Sequence, residues 1–178
     1  MSSIQVHDKI FVPYLTRSQI ETRIAALAGQ MEQELAGKKP LFIAILNGSF
    51  VFAADLFRHL TFEAEISFIK LASYKGTTST GNLVTSIGLE ESLFERHVVI
   101  VEDIVDTGKT LFEFLPQVRR QNPASLRVAT LLSKPAARKF PVDIAYTGFE
   151  IPDKFVLGYG LDYDGLGRNI PEIYQLSE

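Results

Sequence analysis

Three carboxylates stand within five residues, at Glu102, Asp103 and Asp106, directly after the apolar run of residues 98–101. This run is β-branched, which is typical of a strand buried on both faces of a sheet. A buried strand end disfavours so much negative charge unless cations or hydroxyl groups neutralise it. The stretch therefore predicts a ligand site, whose carboxylates can hold hydroxyl groups, a divalent cation or a developing positive charge.

The same stretch continues with Thr107, Gly108, Lys109 and Thr110. Its Gly-Lys pair suggests a P-loop, but that motif needs a glycine five residues before the pair, where this chain has Asp103. The remaining features are backbone N–H groups and two hydroxyls at the start of a predicted helix, which can hold a phosphate. A phosphate site beside an acidic pair that can bind hydroxyl groups fits a ribose 5-phosphate.

The elements that must position these residues alternate between strands and helices, which favours a parallel α/β sheet. Ser18 and Glu21 form a capping-box pattern that predicts the start of the first helix, and Gly37 can end it. Further helices are predicted at 50–60 and 111–120, and strands at 10–12, 41–46, 65–71, 83–89, 98–101, 126–132, 142–146 and 154–159.

Ligands of parallel α/β sheets bind beyond the carboxyl ends of the strands. This rule brings the Asn47-Gly48 turn, the acidic stretch and Lys134 to one rim of the predicted sheet. Residues 73–82 are polar and flanked by glycine, which predicts a mobile loop that can act as a lid.

Composition narrows the function classes. A chain of 178 residues with 46% hydrophobic residues predicts one domain, spanning residues 1–178. The net charge of −3 gives no global basic field for nucleic acid, and the absence of cysteine excludes disulfides, thiolate metal sites and a catalytic cysteine. The apolar region at 41–57 is broken by polar residues, so no membrane span is predicted. No signal peptide is apparent, and we expect a cytoplasmic protein.

Two long motifs carry a resemblance to a known family. Residues 98–111 resemble the phosphoribosyl pyrophosphate signature of the type I phosphoribosyltransferases. Residues 148–163 resemble the purine-binding segment of the hypoxanthine-guanine phosphoribosyltransferases, and Ser73-Tyr74 also matches that family. The resemblance implies an α/β fold with a central, mostly parallel sheet flanked by helices, and a small hood formed from the chain ends.

The implied reaction transfers the 5-phosphoribosyl group from phosphoribosyl pyrophosphate to a 6-oxopurine, hypoxanthine or guanine, in purine salvage. It yields IMP or GMP and pyrophosphate. By resemblance, Glu102 and Asp103 bind the ribose hydroxyls, directly or through Mg²⁺, and their charge favours an oxocarbenium-like transition state. Asp106 is the general base near purine N7. The 5-phosphate is held by Thr107, Gly108, Lys109 and Thr110.

The resemblance assigns the purine to the later motif. Lys154 donates a hydrogen bond to the 6-oxo group, which selects hypoxanthine and guanine over adenine. Phe155 stacks on the base, and the Val156 backbone bonds the edge of the base. Lys134 contacts the purine or supports Asp106.

The pyrophosphate end of the donor is assigned in the same way. Asp162 holds the Mg²⁺ that carries the pyrophosphate, and Arg168 contacts the pyrophosphate. Ser73 and Tyr74 close over the site and exclude water. The family often has lysine where this chain has Asn47, so one cation is missing beside Gly48, whose turn can still bind through backbone N–H groups. A cis peptide bond of the family would here join Asn47 to Gly48. A homodimer or homotetramer is the expected assembly.

Three alternatives remain open. Within the same class, xanthine or adenine can be the base, although Lys154 argues against adenine. A nucleotide-sensing regulator of the same fold that binds RNA or DNA would need a basic face or an added domain. A P-loop kinase is weakened by Asp103.

Overall fold

The computed structural model describes residues 2–73, 83–87 and 90–177. The elements follow one another as strands and helices, and their bounds come in chain order. They are β1 (Ile4–Val6), β2 (Lys9–Leu15), α1 (Arg17–Leu35), β3 (Leu41–Leu46), α2 (Phe50–His59), β4 (Glu65–Ser73), β5 (Leu83–Ile87), β6 (His97–Val105), α3 (Lys109–Arg119), β7 (Ser125–Ser133), a 3-10 turn (Pro135–Ala137), β8 (Tyr146–Glu150), β9 (Val156–Leu157) and β10 (Ile173–Leu176).

The central sheet has the strand order β5-β4-β3-β6-β7-β8. Strands β4, β3, β6, β7 and β8 run parallel, and β5 is antiparallel to β4. Side chains of β3 alternate between two apolar layers: Phe42 and Ala44 belong to the cluster that contains α1 and α2 side chains, whereas Ile43 belongs to the cluster under α3. Burial of both faces explains why the parallel strands are continuous apolar runs.

A second, antiparallel sheet is built from the two chain ends in the order β1-β2-β10-β9. Strand β10 pairs with β2, where Tyr174 lies opposite Pro13, and also with β9. Phe11, Leu157 and Tyr174 form the buried core of this sheet. The expected central sheet with a hood from the chain ends is therefore confirmed.

Among the sequence-based predictions of local structure, those for two helices and two strands were wrong in their boundaries. The first helix is capped by Thr16, not Ser18: the Thr16 hydroxyl accepts the Gln19 N–H at 3.1 Å, and the Gln19 side chain accepts the Thr16 N–H at 2.9 Å. The same capping pattern occurs two residues upstream, so the helix gains half a turn. Helix α3 begins at Lys109 rather than at residue 111, because the left-handed backbone of Gly108 already caps it.

The strand predicted at 142–146 is instead β8, Tyr146–Glu150. Val142 and Ile144 are apolar because they pack on the α3 side of the core, not because they belong to the sheet. The strand predicted at 154–159 is reduced to β9, Val156–Leu157, because positive φ angles at 158–160 turn the chain. Tyr74 and most of the predicted lid lie outside the described residues. The prediction of one domain over 1–178 stays a prediction.

Among the helices of the described residues, none is both long enough and apolar enough to span a membrane.

Candidate active site

The acidic pair, Glu102 and Asp103, lies at the carboxyl end of β6 in the middle of the sheet. Glu102 is only 8% exposed, and its Oε1 accepts the Asp103 N–H at 3.2 Å. Burial, and then the neighbouring charge of Asp103, raise the pKa of Glu102 well above its usual range. Asp103 Oδ1 accepts the Ile104 N–H at 2.8 Å. A buried and a half-buried carboxylate held this close attract a cationic ligand.

The Gly48 turn, residues 47–49, covers the acidic pair. A Cβ atom at position 48 would lie 1.5 Å from Asp103 Oδ2, so only glycine fits there. The buried Ser49 hydroxyl donates to the Ile45 carbonyl at 2.6 Å and ties the turn back to β3. The cis peptide joins Leu46 to Asn47. The expectation of a cis bond between Asn47 and Gly48 was therefore wrong by one residue, and resemblance alone had placed it.

The phosphate loop, residues 107–110, turns sharply into α3. Gly108 has φ +82°, and a Cβ atom there would lie 2.7 Å from the Phe140 carbonyl oxygen. The Thr107 carbonyl accepts two N–H groups, from Lys139 and Phe140, each at 3.0 Å. The loop is therefore braced from behind. The first turn of α3 carries N–H groups that lack partners within the helix, which is where an anion can bind, although the Lys109 N–H donates to the Thr107 hydroxyl at 3.4 Å. Lys109 makes an exposed ion pair with Glu113 at 3.7 Å.

The acidic pair, the Gly48 turn and the phosphate loop share one cavity of about 400 Å³. Its lining is continuous along the chain from Glu102 to Leu111 and is completed by Ile45, Leu46, Gly48 and Leu71. A cavity of this size suits a sugar phosphate. The predicted gathering of Gly48, the acids and the phosphate loop at one rim therefore agrees with the geometry.

Asp106 lies at the mouth of this cavity and is held by a lysine. The Lys134 ammonium is 2.9 Å from Asp106 Oδ2 and 3.5 Å from Asp153 Oδ1. Lys134 is 6% exposed, and its backbone N–H donates to the Val105 carbonyl at 2.9 Å. Of the two roles predicted for Lys134, support of Asp106 is the one with a contact in the structure. Sequence reasoning missed Asp153, although it stands directly before Lys154.

The Lys154 segment, residues 154–168, begins with an exposed Lys154 and a Phe155 that is 43% exposed. The Phe155 ring packs edge-on against Tyr163, with centroids 5.7 Å apart, and lies 6.1 Å from the Phe11 ring. Val156 is buried in β9, where Gln175 is its partner. The exposed part of the Phe155 ring leaves room for contact with an aromatic ligand, as the stacking role needs.

Asp162 and Arg168 bind each other across a turn. The Arg168 guanidinium is 2.7 Å from Asp162 Oδ1 and also donates to the Gly160 carbonyl at 2.6 Å. Asp162 Oδ2 accepts the Gly165 N–H at 2.8 Å. Within the described part of the chain, no three histidine, aspartate or glutamate side chains cluster as metal ligands. Glu102, Asp103 and Asp162 therefore do not form a single metal cluster.

Arg138 is a second residue that sequence reasoning missed. Its guanidinium donates to the Ser133 hydroxyl at 2.9 Å and to the Asp106 and Val142 carbonyls at 3.4 Å. Arg138 supports the phosphate loop from behind, and no motif or periodicity in the sequence predicts this role. The Ser73 side chain and Tyr74 lie outside what the structure describes, so their closing role stays a prediction.

Fold and site together define an α/β protein with a cavity at the carboxyl end of its central strand, lined by an acidic pair and a helix N-terminus. Residues 14–164 match the family model of the phosphoribosyl transferase domain. The chain is 40% identical over 163 residues to the hypoxanthine-guanine-xanthine phosphoribosyltransferase of Tritrichomonas foetus, covering 91% of this chain and 89% of that protein. It is 40% identical over 162 residues to the hypoxanthine phosphoribosyltransferase of Buchnera aphidicola, covering 89% of this chain and 92% of that protein.

Solved structures agree. The hypoxanthine phosphoribosyltransferase of Staphylococcus aureus superposes with a TM-score of 0.89 at 36% identity, over 99% of this chain and 98% of that one. A hypoxanthine-guanine phosphoribosyltransferase of Bacillus anthracis gives 0.88 at 35% identity, over 96% and 99% of the two chains. The chain belongs to the phosphoribosyltransferase family.

Proposed function

We propose that the protein transfers the 5-phosphoribosyl group of phosphoribosyl pyrophosphate to hypoxanthine or guanine, releasing pyrophosphate, as an enzyme of purine salvage. The observation that carries the proposal is the shared cavity, in which the acidic pair and a braced phosphate loop follow each other along one strand and helix. The names of the relatives supply the acceptor, a 6-oxopurine.

The acidic pair acts on the sugar. Its carboxylates bind the ribose hydroxyls, and their charge is best matched when the anomeric carbon becomes cationic in the transition state. In the free site, burial and then the charge of Asp103 raise the pKa of Glu102 and disfavour its ionised form. A positive charge in the cavity, such as the one that develops on the sugar, favours the ionised carboxylate.

Mg²⁺ fits the residues present. The acidic pair supplies two carboxylates, and Mg²⁺ commonly takes one or two from the protein and its other ligands from phosphates and water. Glu102 and Asp103 would hold the ion beside the ribose, and Asp162 is the candidate at the pyrophosphate. When bound, the ion neutralises the charge that builds on the departing pyrophosphate.

Asp106 accepts the proton from purine N7 as the new bond forms, and Lys134 holds its carboxylate in place. The base stacks on the exposed part of the Phe155 ring, and the Val156 backbone bonds its edge. Lys154 donates to the oxygen at position 6. An adenine amino group would present a donor to the same donor, which disfavours adenine.

The Gly48 turn and Arg168 bind the pyrophosphate, the turn through its backbone N–H groups. Because Asn47 carries no charge, we expect weaker pyrophosphate contacts at this turn than a lysine would give. Ser73 and Tyr74 close over the site and exclude water, which would otherwise hydrolyse the donor.

Assembly into a homodimer or homotetramer stays a proposal, which light scattering of the purified protein tests. The relatives and solved structures named above are purine phosphoribosyltransferases, and no observation favours the regulator or the kinase.

The test of this function is a panel of acceptors. Purified protein, Mg²⁺ and phosphoribosyl pyrophosphate are incubated separately with hypoxanthine, guanine, xanthine and adenine, and released pyrophosphate and nucleotide are measured. We expect nucleotide from hypoxanthine or guanine and little from adenine. If neither 6-oxopurine yields nucleotide, the proposed function is refuted. Retention of nucleic acid without pyrophosphate release would favour the regulator instead.

A further inference from the structure

The Lys154 segment touches the Gly48 turn directly. A Cβ atom at position 160 would lie 2.2 Å from the Gly48 carbonyl oxygen, and Gly160 has φ +98°. Side chains are excluded at this crossing, so the two backbones meet. Gly48 thus lies between the Asp103 carboxylate on one side and Gly160 on the other.

Tyr159, the residue before Gly160, links this backbone contact to helix α2. Its hydroxyl donates to Asp55 Oδ2 on α2, the helix that begins directly after the Gly48 turn. Tyr159 is 4% exposed, with φ +51°. Burial and the neighbouring Asp55 carboxylate raise the pKa of the Tyr159 hydroxyl, which stays protonated and donating.

Gly160 is also held from its other side. Its N–H donates to the Arg168 carbonyl at 3.0 Å, and its carbonyl accepts from the Arg168 guanidinium at 2.6 Å. Asp162 pairs with the same guanidinium. The piece of chain that follows the purine-binding residues is therefore fixed at both of its faces, and the Tyr159–Asp55 bond is its link to the turn.

We propose that Tyr159 is a positioning residue, which through Asp55 holds the Gly48 turn against the Lys154 segment and thereby couples the purine subsite to the pyrophosphate subsite. The inference rests on the proposed function for the identity of the two ligands. Without the bond, the turn keeps its tie to β3 through Ser49 but loses one of its links to the Lys154 segment, so its N–H groups are held less firmly at the pyrophosphate. The purine-binding residues and Asp106 keep their own supports, so the loss falls on the donor.

The variant is Tyr159→Phe, measured by calorimetry with magnesium pyrophosphate and by steady-state kinetics. One lost hydrogen bond predicts a Kd for pyrophosphate and a KM for the donor that rise by roughly 3- to 10-fold. The KM for hypoxanthine and kcat should change by less than about twofold. The purine should also cease to tighten pyrophosphate binding.

Tyr146→Phe is the matched control. Tyr146 is buried and also donates to a carboxylate, Glu34 at 2.9 Å, but at the amino end of β8. Its loss should lower stability without changing the Kd for pyrophosphate. Asp55→Asn keeps an oxygen that accepts the Tyr159 hydroxyl and should bind like the wild type, whereas Asp55→Ala should match Tyr159→Phe.

Three results would overturn the coupling role: unchanged pyrophosphate binding in Tyr159→Phe, equal losses in Tyr146→Phe, or equal losses in KM for both substrates. Failure of the proposed function is distinct from these, because it shows as absent turnover in the wild type. The calorimetric comparison of variants with magnesium pyrophosphate does not depend on turnover.

Discussion

Replacement of Gly48 by alanine puts a methyl group where the acidic pair and the Gly48 turn meet. The new Cβ would lie 1.5 Å from Asp103 Oδ2, whereas ordinary contacts begin at 3.4 Å, so the carboxylate or the turn must move by about 2 Å. Misplacement by 1 Å can already cost roughly 100-fold in rate. We therefore expect kcat/KM to fall by at least about 100-fold, or about 2.7 kcal/mol of transition-state stabilisation.

The cost in stability should be much smaller. Asp103 can rotate away at the loss of its hydrogen bond to the Ile104 N–H, about 1 kcal/mol, which lowers Tm by about 2–4 °C. The assay pairs steady-state kinetics with thermal unfolding. Gly29→Ala is the control: outside its own helical turn, no atom lies within 4 Å of the new Cβ. Position 29 is within α1, where alanine stabilises by about 0.5–1 kcal/mol.

An Asp103→Ala background gives a second check, because the new methyl group then has room and Gly48→Ala should cost little further stability. The reasoning is refuted if Gly48→Ala alone retains activity within about threefold of the wild type.

The remaining predictions concern charge at the two ends of the site. Burial and Asp103 raise the pKa of Glu102 in the folded protein. The contribution of Glu102 to folding stability is therefore complete below the pKa of this carboxyl in the unfolded chain, and it is lost as pH rises through the pKa in the folded protein. Glu102→Gln should therefore raise Tm by about 2–4 °C near pH 9, leave Tm unchanged near pH 4, and lose activity. The control is Glu90→Gln, at an exposed position. A lower Tm of Glu102→Gln near pH 9, or an equal rise in Tm for Glu90→Gln, would contradict this. Lys154→Ala should narrow the preference for hypoxanthine over adenine by roughly 10-fold, with Lys38→Ala unchanged; an unaltered preference would remove Lys154 from the contact with the base.

How far the sequence predicts the fold depends on how local the signal is. Strand β3 has the predicted bounds, Leu41–Leu46, because every residue of the run is apolar and a polar turn ends it. Strands β1 and β10 carry no such pattern. They form because β1 pairs with β2, and β10 pairs with β2 and β9. Strands β10 and β2 are more than 150 residues apart, and local periodicity cannot predict pairing over such a distance.

In the candidate site, too, only the residues that are close together in the sequence could be predicted from it. Glu102, Asp103 and Asp106 follow one buried strand, so their clustering could be predicted from residue types alone. Asp153 shares the Lys134 ammonium with Asp106, and Arg138 donates to the Asp106 backbone carbonyl. Both contacts join segments that only folding brings together. The position of the cis bond, before rather than after Asn47, likewise has no signature in the local sequence.

The most direct test of the central claim, that Asp106 in this cavity performs the transfer of the proton, is the single-turnover rate of IMP formation from the complex with donor and hypoxanthine. Asp106→Asn should lower this rate by roughly 100-fold or more, and the Kd for phosphoribosyl pyrophosphate should stay within about threefold. Asp143→Asn, at an exposed position, should match the wild type. An unchanged rate in Asp106→Asn, or equal losses in rate and in donor binding, would contradict the assignment of Asp106 as the general base.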